Sequence, residues 1–495
     1  MASATLRGIE ALPVDVEIAT SAGIPGMSIV GMPDGSVLEA RARVRCAIKA
    51  SGFNVSRLRF TVNLSPGELK KSGTGFDLPL AVAMLAVTGQ IPTGGLEDCM
   101  FVGELALDGS VSAVRGLVAY RKLAERTGKR LVCLASSCDG ASEGVLNVER
   151  LEDLRRGVRG LQAGGRGERT VTPDGGPKLD YEDVLDQEAA KRALVISAAG
   201  RHGLLMVGPP GAGKSMLARR LPTILPPLTP EEAEEVALIG SVAGLSGGGQ
   251  DNGARPFRAP HHSISQAGMI GGGSPVRPGE VTLAHHGVLF LDELPEFSTN
   301  VLQSLRQPFE EHVVRLVRAD GLYRFPCDFT FLAAANPCPC GYLGDPAHAC
   351  TCAPAKVAQY QSRVGGPLKD RIDVHIFVSR PDSRKVVEGT RGMSSAQMRD
   401  LVLGAREFRA WRESGLGHEG EEGLESMALG EEAASVLESM ARSLGFGGRS
   451  IVRVAKVART IADIRQGEAV SKEDVLEACA YRDRRGSAGG RNPSS

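Results

Sequence analysis

The chain carries 495 residues, with 58 basic side chains balanced by 58 acidic ones. This length exceeds a single ordinary core, so several domains are expected, and zero net charge argues neither for nor against a nucleic-acid partner. No run of eighteen apolar residues occurs and the start, MASATLRGIEALPVDVEI, lacks a charged-then-apolar leader pattern, so the expectation is a cytoplasmic chain without a membrane segment, its cysteines reduced.

Residues 1–162 alternate short β-like runs (MSIVG, LRFTVNL, MFVGELAL) with helical stretches (SVLEARARVRCAIKASG, FDLPLAVAMLAVTG), which predicts a mixed α/β or α+β domain. Its basic residues Arg41, Arg43, Arg45, Lys49, Arg57, Arg59, Lys70 and Lys71 suit either DNA-backbone contact or a solvated face. Residues 163–178 fall in a Gly-rich stretch without apolar periodicity and read as a linker. From 179 to 382 the runs GLLMVG, GVLFLDE, FTFLAAAN and DVHIFV predict a parallel sheet with crossover helices. Residues 383–484 read as helical throughout, and 485–495 as a disordered tail.

The first of those strands opens a phosphate site. Gly208, Pro209, Pro210, Gly211, Ala212, Gly213, Lys214 and Ser215 match G-x-x-x-x-G-K-[ST], between an apolar strand and a helical pattern. The glycines let the backbone turn its N–H groups toward phosphate oxygens; Lys214 can reach the β- and γ-phosphates of ATP, and Ser215 can hold Mg²⁺. Thr229, Pro230 and Glu232 then carry helix-start chemistry. In VLFLDELPEF, Asp292 at a strand end would hold Mg²⁺ and Glu293 would polarise the attacking water. HVVRLVRADGLYRFPCDF predicts a hairpin turning at Asp320-Gly321 and lined by Arg315, Arg318 and Arg324. Asn336 ends the next strand. There a neutral amide can orient water without repelling phosphate; a cap or turn role is the plain alternative.

Behind Asn336, Cys338, Cys340, Cys350 and Cys352 form two C-x-C pairs. Four thiolates suit a closed structural Zn²⁺ site, with His348 able to replace one of them; free thiols and redox pairing stay open. The pairs His261/His262 and His285/His286 lack helical metal spacing.

The order of P-loop, LFLDEL, AAANPCPCG and GPLKDRIDVHIFV resembles an AAA+ ATPase of the magnesium-chelatase type. RPFRAPHHSIS, PGEVTLAHHGVLFLDELPEF and LKDRIDVHI are similar to the ComM/YifB group of competence-associated ATPases, and GIPGMSIVGMPDGSVLEARARV extends the similarity to the N-terminal region. The resemblance implies an α/β fold class: an N-terminal Lon-protease-like (S5-like) α+β domain, an AAA+ P-loop core with a parallel sheet, and a C-terminal helical lid. It implies a homo-hexameric ring with ATP between subunits, Asn336 as sensor, Arg371 as arginine finger and Arg449 as lid sensor, with Arg453 its rival. It places the Gly-rich insertion, with Arg255, Arg258, His261 and His262, and the basic hairpin toward the ring pore, where arginines would grip DNA phosphates without reading bases. Aligned on the Lon Ser–Lys dyad, the nucleophile position is Gly75 and the lysine position Val118, so no protease activity is expected. The implied function is a DNA helicase promoting branch migration in recombination and natural transformation, acting on single-stranded or branched DNA. The alternative is a chelatase-like motor subunit or a remodelling chaperone with a protein partner.

Overall fold

The computed structural model describes residues 1–54, 57–135, 144–164, 179–245, 254–364, 366–389, 391–416 and 427–482. Most of the expected linker (165–178), the start of the Gly-rich insertion (246–253), Cys138 and the expected tail (485–495) lie outside them.

Alternating burial builds the N-terminal sheet. On the strand Glu10–Ser21, Val14 and Val16 face one core while Ala11 faces the other. Met100 and Phe101, neighbours on Cys99–Phe101, divide the same way. Seven strands pair in the order Gly26–Val30, Arg59–Ser65, Glu10–Ser21, Ala2–Arg7, Cys99–Phe101, Arg130–Cys133, Val145–Asn147. The helices Gly35–Ala50 and Asp77–Val87 fill one face, and Leu117–Arg126 covers the other. Asp34 starts the first of these helices by accepting the Val37 amide at 3.0 Å. The expected runs are strands and helices as read, except that MFVGELAL splits into Cys99–Phe101 and Glu104–Leu105, which join different sheets; Ala2–Arg7 and Glu10–Ser21 were not anticipated.

The second sheet is parallel throughout, ordered Phe257–Arg258, Val288–Leu291, Thr330–Ala335, Leu204–Val207, Val374–Phe377. Its strands are near-continuous apolar runs because both faces are covered. Leu204, Met206, Phe290 and Leu332 point into one core; Leu205, Leu289, Leu291 and Phe331 point into the other. The first core also takes Met398, Val402, Leu437, Val454 and Val475 from the helices Ser395–Leu416, Glu431–Leu444, Gly448–Ile464 and Lys472–Ala480. The C-terminal helices therefore share the sheet's own core, each fully buried aliphatic side chain contributing about 1.5–3 kcal/mol. The helix Pro230–Ala243 begins with both arms of the expected capping box, Thr229 with Glu232. It meets the N-terminal domain through Val242 in the Leu117–Arg126 core and a Lys122–Glu234 ion pair at 3.1 Å. No helix among the described residues is long and apolar enough to cross a membrane.

This strand order puts every C-terminal strand end on one edge. Leu204–Val207 is flanked there by Thr330–Ala335 and Val374–Phe377, the arrangement that opens a ligand crevice in α/β sheets.

Candidate functional site

The P-loop leaves the end of Leu204–Val207. Gly211 and Gly213 take left-handed backbone (φ 80° and 87°), which turns successive amides inward as an anion-binding nest. Gly208 must lack a side chain, because a Cβ there would overlap the Val378 carbonyl. Lys214 is nearly buried, and its ammonium donates to the carbonyls of Gly208 (2.6 Å) and Pro209 (3.0 Å) and to Asn336 Oδ1 (3.2 Å). Burial pulls its pKa below the usual lysine value, opposed by the negative charge of Asp292 and Glu293. Ser215 Oγ donates to Asp292 Oδ2 at 2.5 Å. Register pairs Leu291 with Ala333, so the strands carrying Asp292 and Asn336 are neighbours. A cation held by carbonyls, a hydroxyl paired to a carboxylate and a nest of amides are the donor set that a Mg²⁺-bound nucleoside triphosphate requires, so the residues fit ATP and Mg²⁺.

Glu293 takes left-handed backbone (φ 52°) and its amide donates to Asp292 Oδ1 at 2.9 Å. His262, expected as a substrate contact, lies instead beside Glu293, with Nδ1 3.5 Å from Oε2. Nothing local to APHHS announces that partner, which comes from the adjoining strand. His261 stays exposed and shares a 2.8 Å hydrogen bond with Ser263 Oγ.

The four cysteines converge. Sγ of Cys338 is 3.4 Å from that of Cys340 and 3.6 Å from that of Cys350, and Cys340 is 3.6 Å from Cys350. With Cys352 included, all four sulfurs fall within 4.8 Å of one another. Zn–S bonds of about 2.3 Å in a tetrahedron place sulfurs about 3.8 Å apart, so the set fits one ion. The amides of Tyr342 and Thr351 hold the Cys340 thiol well below its usual range, at about 6. His348 is not a ligand here: it stacks on Tyr342, ring centroids 5.0 Å apart.

Glu235, His285 and His286 form a second set of potential ligands. Both imidazole Nε2 atoms point at Glu235 Oε2, at 2.9 and 2.8 Å. The Asp328 amide, however, donates to His285 Nδ1 at 3.0 Å. That occupies the Nδ1 lone pair, so neutral His285 carries its proton on Nε2 and has no lone pair there for a metal. Burial lowers the His285 pKa, keeping it neutral. This set is a hydrogen-bonded cluster.

The arginines separate in a way the sequence did not show. Arg255 and Arg258, expected as DNA contacts, have internal acceptors on their guanidiniums. Arg255 pairs with Glu232 at 2.8 Å and donates to the carbonyls of Pro226 and His286, and Arg258 is bidentate to Glu280 at 2.6 and 2.8 Å. In the N-terminal domain Arg43 is likewise bidentate to Asp77, and Lys71 is fully buried against the Pro66 carbonyl. The hairpin Val313–Arg318/Gly321–Pro326 forms, its turn at Ala319-Asp320, one residue earlier than expected. Arg315 and Arg324 are directly opposite and exposed on one face, Arg315 beside Glu311. Arg318 belongs to the other face by alternation and approaches Gly272. Arg7 of the N-terminal domain reaches the turn, donating to the Asp320 carbonyl at 3.3 Å.

Arg371 pairs with Glu310 and precedes the strand Val374–Phe377. Arg449 is exposed in the first turn of Gly448–Ile464, while its rival Arg453 pairs with Asp373 at 2.8 Å. Gly75 and Val118 stand in the short helix Thr74–Phe76 and at the start of Leu117–Arg126, and offer neither hydroxyl nor amine.

Comparison with known proteins agrees with this layout. The family model described as magnesium chelatase, subunit ChlI, matches residues 180–386, a second for subunit ChlI of Mg-chelatase matches 16–137, and one for the ChlI C-terminal region matches 392–482. Uncharacterized protein YifB of Escherichia coli is 39% identical, covering 96% of this chain and 95% of its own. The chain belongs to the magnesium-chelatase family of AAA+ proteins. Competence protein ComM of Haemophilus influenzae is 38% identical over 96% of this chain and 95% of its own length, and an uncharacterized Mycobacterium tuberculosis protein, Rv2897c, is 38% identical over 97% of both. This AAA+ family membership points to an ATPase.

Proposed function

We propose that the protein is an ATP-hydrolysing ring motor, a homo-hexamer that moves on DNA and promotes branch migration during homologous recombination and natural transformation. The observation that carries the reading is the separation of two halves of one catalytic set. Gly208, Lys214, Ser215, Asp292 and Asn336 gather at the C-terminal edge of the parallel sheet. Arg371 stands at the opposite edge, before a strand whose register sets Val374 against Leu204 and Phe377 against Val207. At about 3.3 Å per residue that strand alone separates the edges by about 10 Å, so Arg371 serves a neighbouring copy rather than its own P-loop.

Residues Gly208 to Ser215 would hold the phosphates of ATP, and Ser215 with Asp292 the Mg²⁺, which when bound supplies positive charge to the phosphate oxygens. Glu293 takes a proton from the attacking water, and Asn336 orients that water while it steadies Lys214. Arg371 brings a second positive charge across the subunit seam, and Arg449 reports nucleotide to the lid. Arg315 and Arg324 grip DNA phosphates, so binding falls steeply with salt and shows little base preference. A structural Zn²⁺ held by Cys338, Cys340, Cys350 and Cys352 stiffens the loop behind Asn336. The N-terminal domain is Lon-protease-like without the dyad and serves as a second DNA-facing surface. Support for a DNA substrate comes from the paired exposed arginines and from the name of the Haemophilus influenzae relative, Competence protein ComM.

The description of the matched family, a magnesium chelatase subunit, favours the second reading, a motor acting on a protein partner. ATPase rates with and without single-stranded and branched DNA separate the two. Stimulation by DNA supports the motor on DNA; no response to DNA alongside stimulation by a partner protein supports the second.

A further inference from the structure

We propose that the metal in the cysteine knuckle and the nucleotide in the P-loop bind cooperatively, through a direct contact between the Gly341 backbone and the Pro210 ring. This deepens the zinc and ATP readings above and rests on both.

The knuckle touches the phosphate site at two points. Gly341 follows Cys340 directly, has φ 85°, and donates its amide to the Cys338 carbonyl at 2.9 Å. A Cβ on Gly341 would lie 2.6 Å from Pro210 Cδ and 2.8 Å from Cγ, so only bare backbone fits against that ring. The second point is Asn336, two residues before Cys338, whose Oδ1 receives Lys214. Pro337 and Pro339 stiffen both short links.

The far side of the knuckle is braced separately. Arg380 pairs with Asp345 at 3.2 Å and lies over the Tyr342 ring at 5.7 Å, while Gln361 donates to the Pro337 carbonyl at 3.0 Å. Of its cysteines only Cys338 is fully buried, so apolar packing supplies little order, and an ion shared by the four sulfurs would supply more. A loop closed by metal and wedged on Pro210 holds the P-loop in its phosphate-ready shape. By linkage, nucleotide must then tighten metal by the same factor that metal tightens nucleotide.

The test measures Zn²⁺ release from the full-length protein to a chromogenic chelator, with and without Mg²⁺ and a non-hydrolysable ATP analogue. Expected is one Zn²⁺ per chain, release slowed about fivefold or more by the analogue, and analogue affinity weakened after metal depletion. Pro210→Ala removes the contact and leaves every thiol in place. It should keep one Zn²⁺ per chain and, at analogue concentrations that saturate the variant by direct titration, give equal release rates with and without analogue. Co²⁺ substitution should show thiolate-to-metal charge transfer in both proteins. Zinc bound, analogue bound and release unchanged would overturn the coupling alone. Absence of zinc and of the Co²⁺ signature would overturn the metal reading, and failure to bind the analogue the ATP reading; either removes the coupling with it.

Discussion

The two edges of the parallel sheet are built from similar charged residues and treat them oppositely. At the N-terminal edge each group named here finds a partner within the chain. His285 and His286 share Glu235, Arg201 meets Asp328 at 2.5 Å, Arg255 meets Glu232, and His202 and Arg453 both meet Asp373. At the C-terminal edge Lys214 rests on carbonyls and an amide oxygen, Asp292 on a hydroxyl, and four sulfurs crowd together. The groups named at the first edge are paired within the chain, while Arg371, at the same edge, pairs with Glu310 and is assigned above to a neighbouring copy. The second is an arrangement of donors and acceptors that phosphate and metal would finish, and chemistry belongs where completion comes from outside.

The sharpest way to break this contrast is Lys214→Ala, which should lower ATP turnover about 100-fold or more, measured by phosphate release. Next comes the pair of ligand sets. Cys340→Ser with Cys350→Ser should empty the metal site and cost on the order of several kcal/mol of stability, whereas His285→Ala should leave metal content by elemental analysis unchanged. A smaller effect tests the first edge by pH. Burial pushes His375 down from 6.5 to about 4, and Arg482 and Lys369 add to that push. The folded chain keeps this imidazole neutral while the unfolded chain takes a proton below about 6.5, so acid favours unfolding. Stability should be flat above pH 6.5 and fall by on the order of 2–3 kcal/mol as pH drops toward 4, a loss that His375→Gln removes from denaturant titrations. Smallest is the split among arginines. Arg255→Ala should destabilise by about 2 kcal/mol and leave DNA affinity alone. Arg324→Ala should spare stability and reduce the salt slope of DNA binding by about 1.

What could be read from sequence was local. The P-loop, the Asp292-Glu293 pair after a strand, Asn336 after the next and the Thr229 cap are set by near neighbours, and the parallel sheet follows from four apolar runs. The strand Phe257–Arg258 escaped notice because two residues carry no periodicity. Arg255, Arg258 and His262 read as free because their partners Glu232, Glu280 and Glu293 come from other elements. Arg315, Arg318 and Arg324 could be assigned to the ribbon from sequence but not to its faces; alternation in the formed hairpin puts Arg318 on the face opposite Arg315. The fit of Gly341 to Pro210 joins segments about 130 residues apart, and no spacing rule reaches that far.

Subunit mixing tests the shared seam most directly. Glu293→Gln and Arg371→Ala chains, each inactive alone and each shown by sizing to assemble, are combined before assembly. A seam between copies predicts that ATPase activity returns, because some neighbours then pair an intact Glu293 with an intact Arg371. A mixture as inactive as its parents would contradict the account.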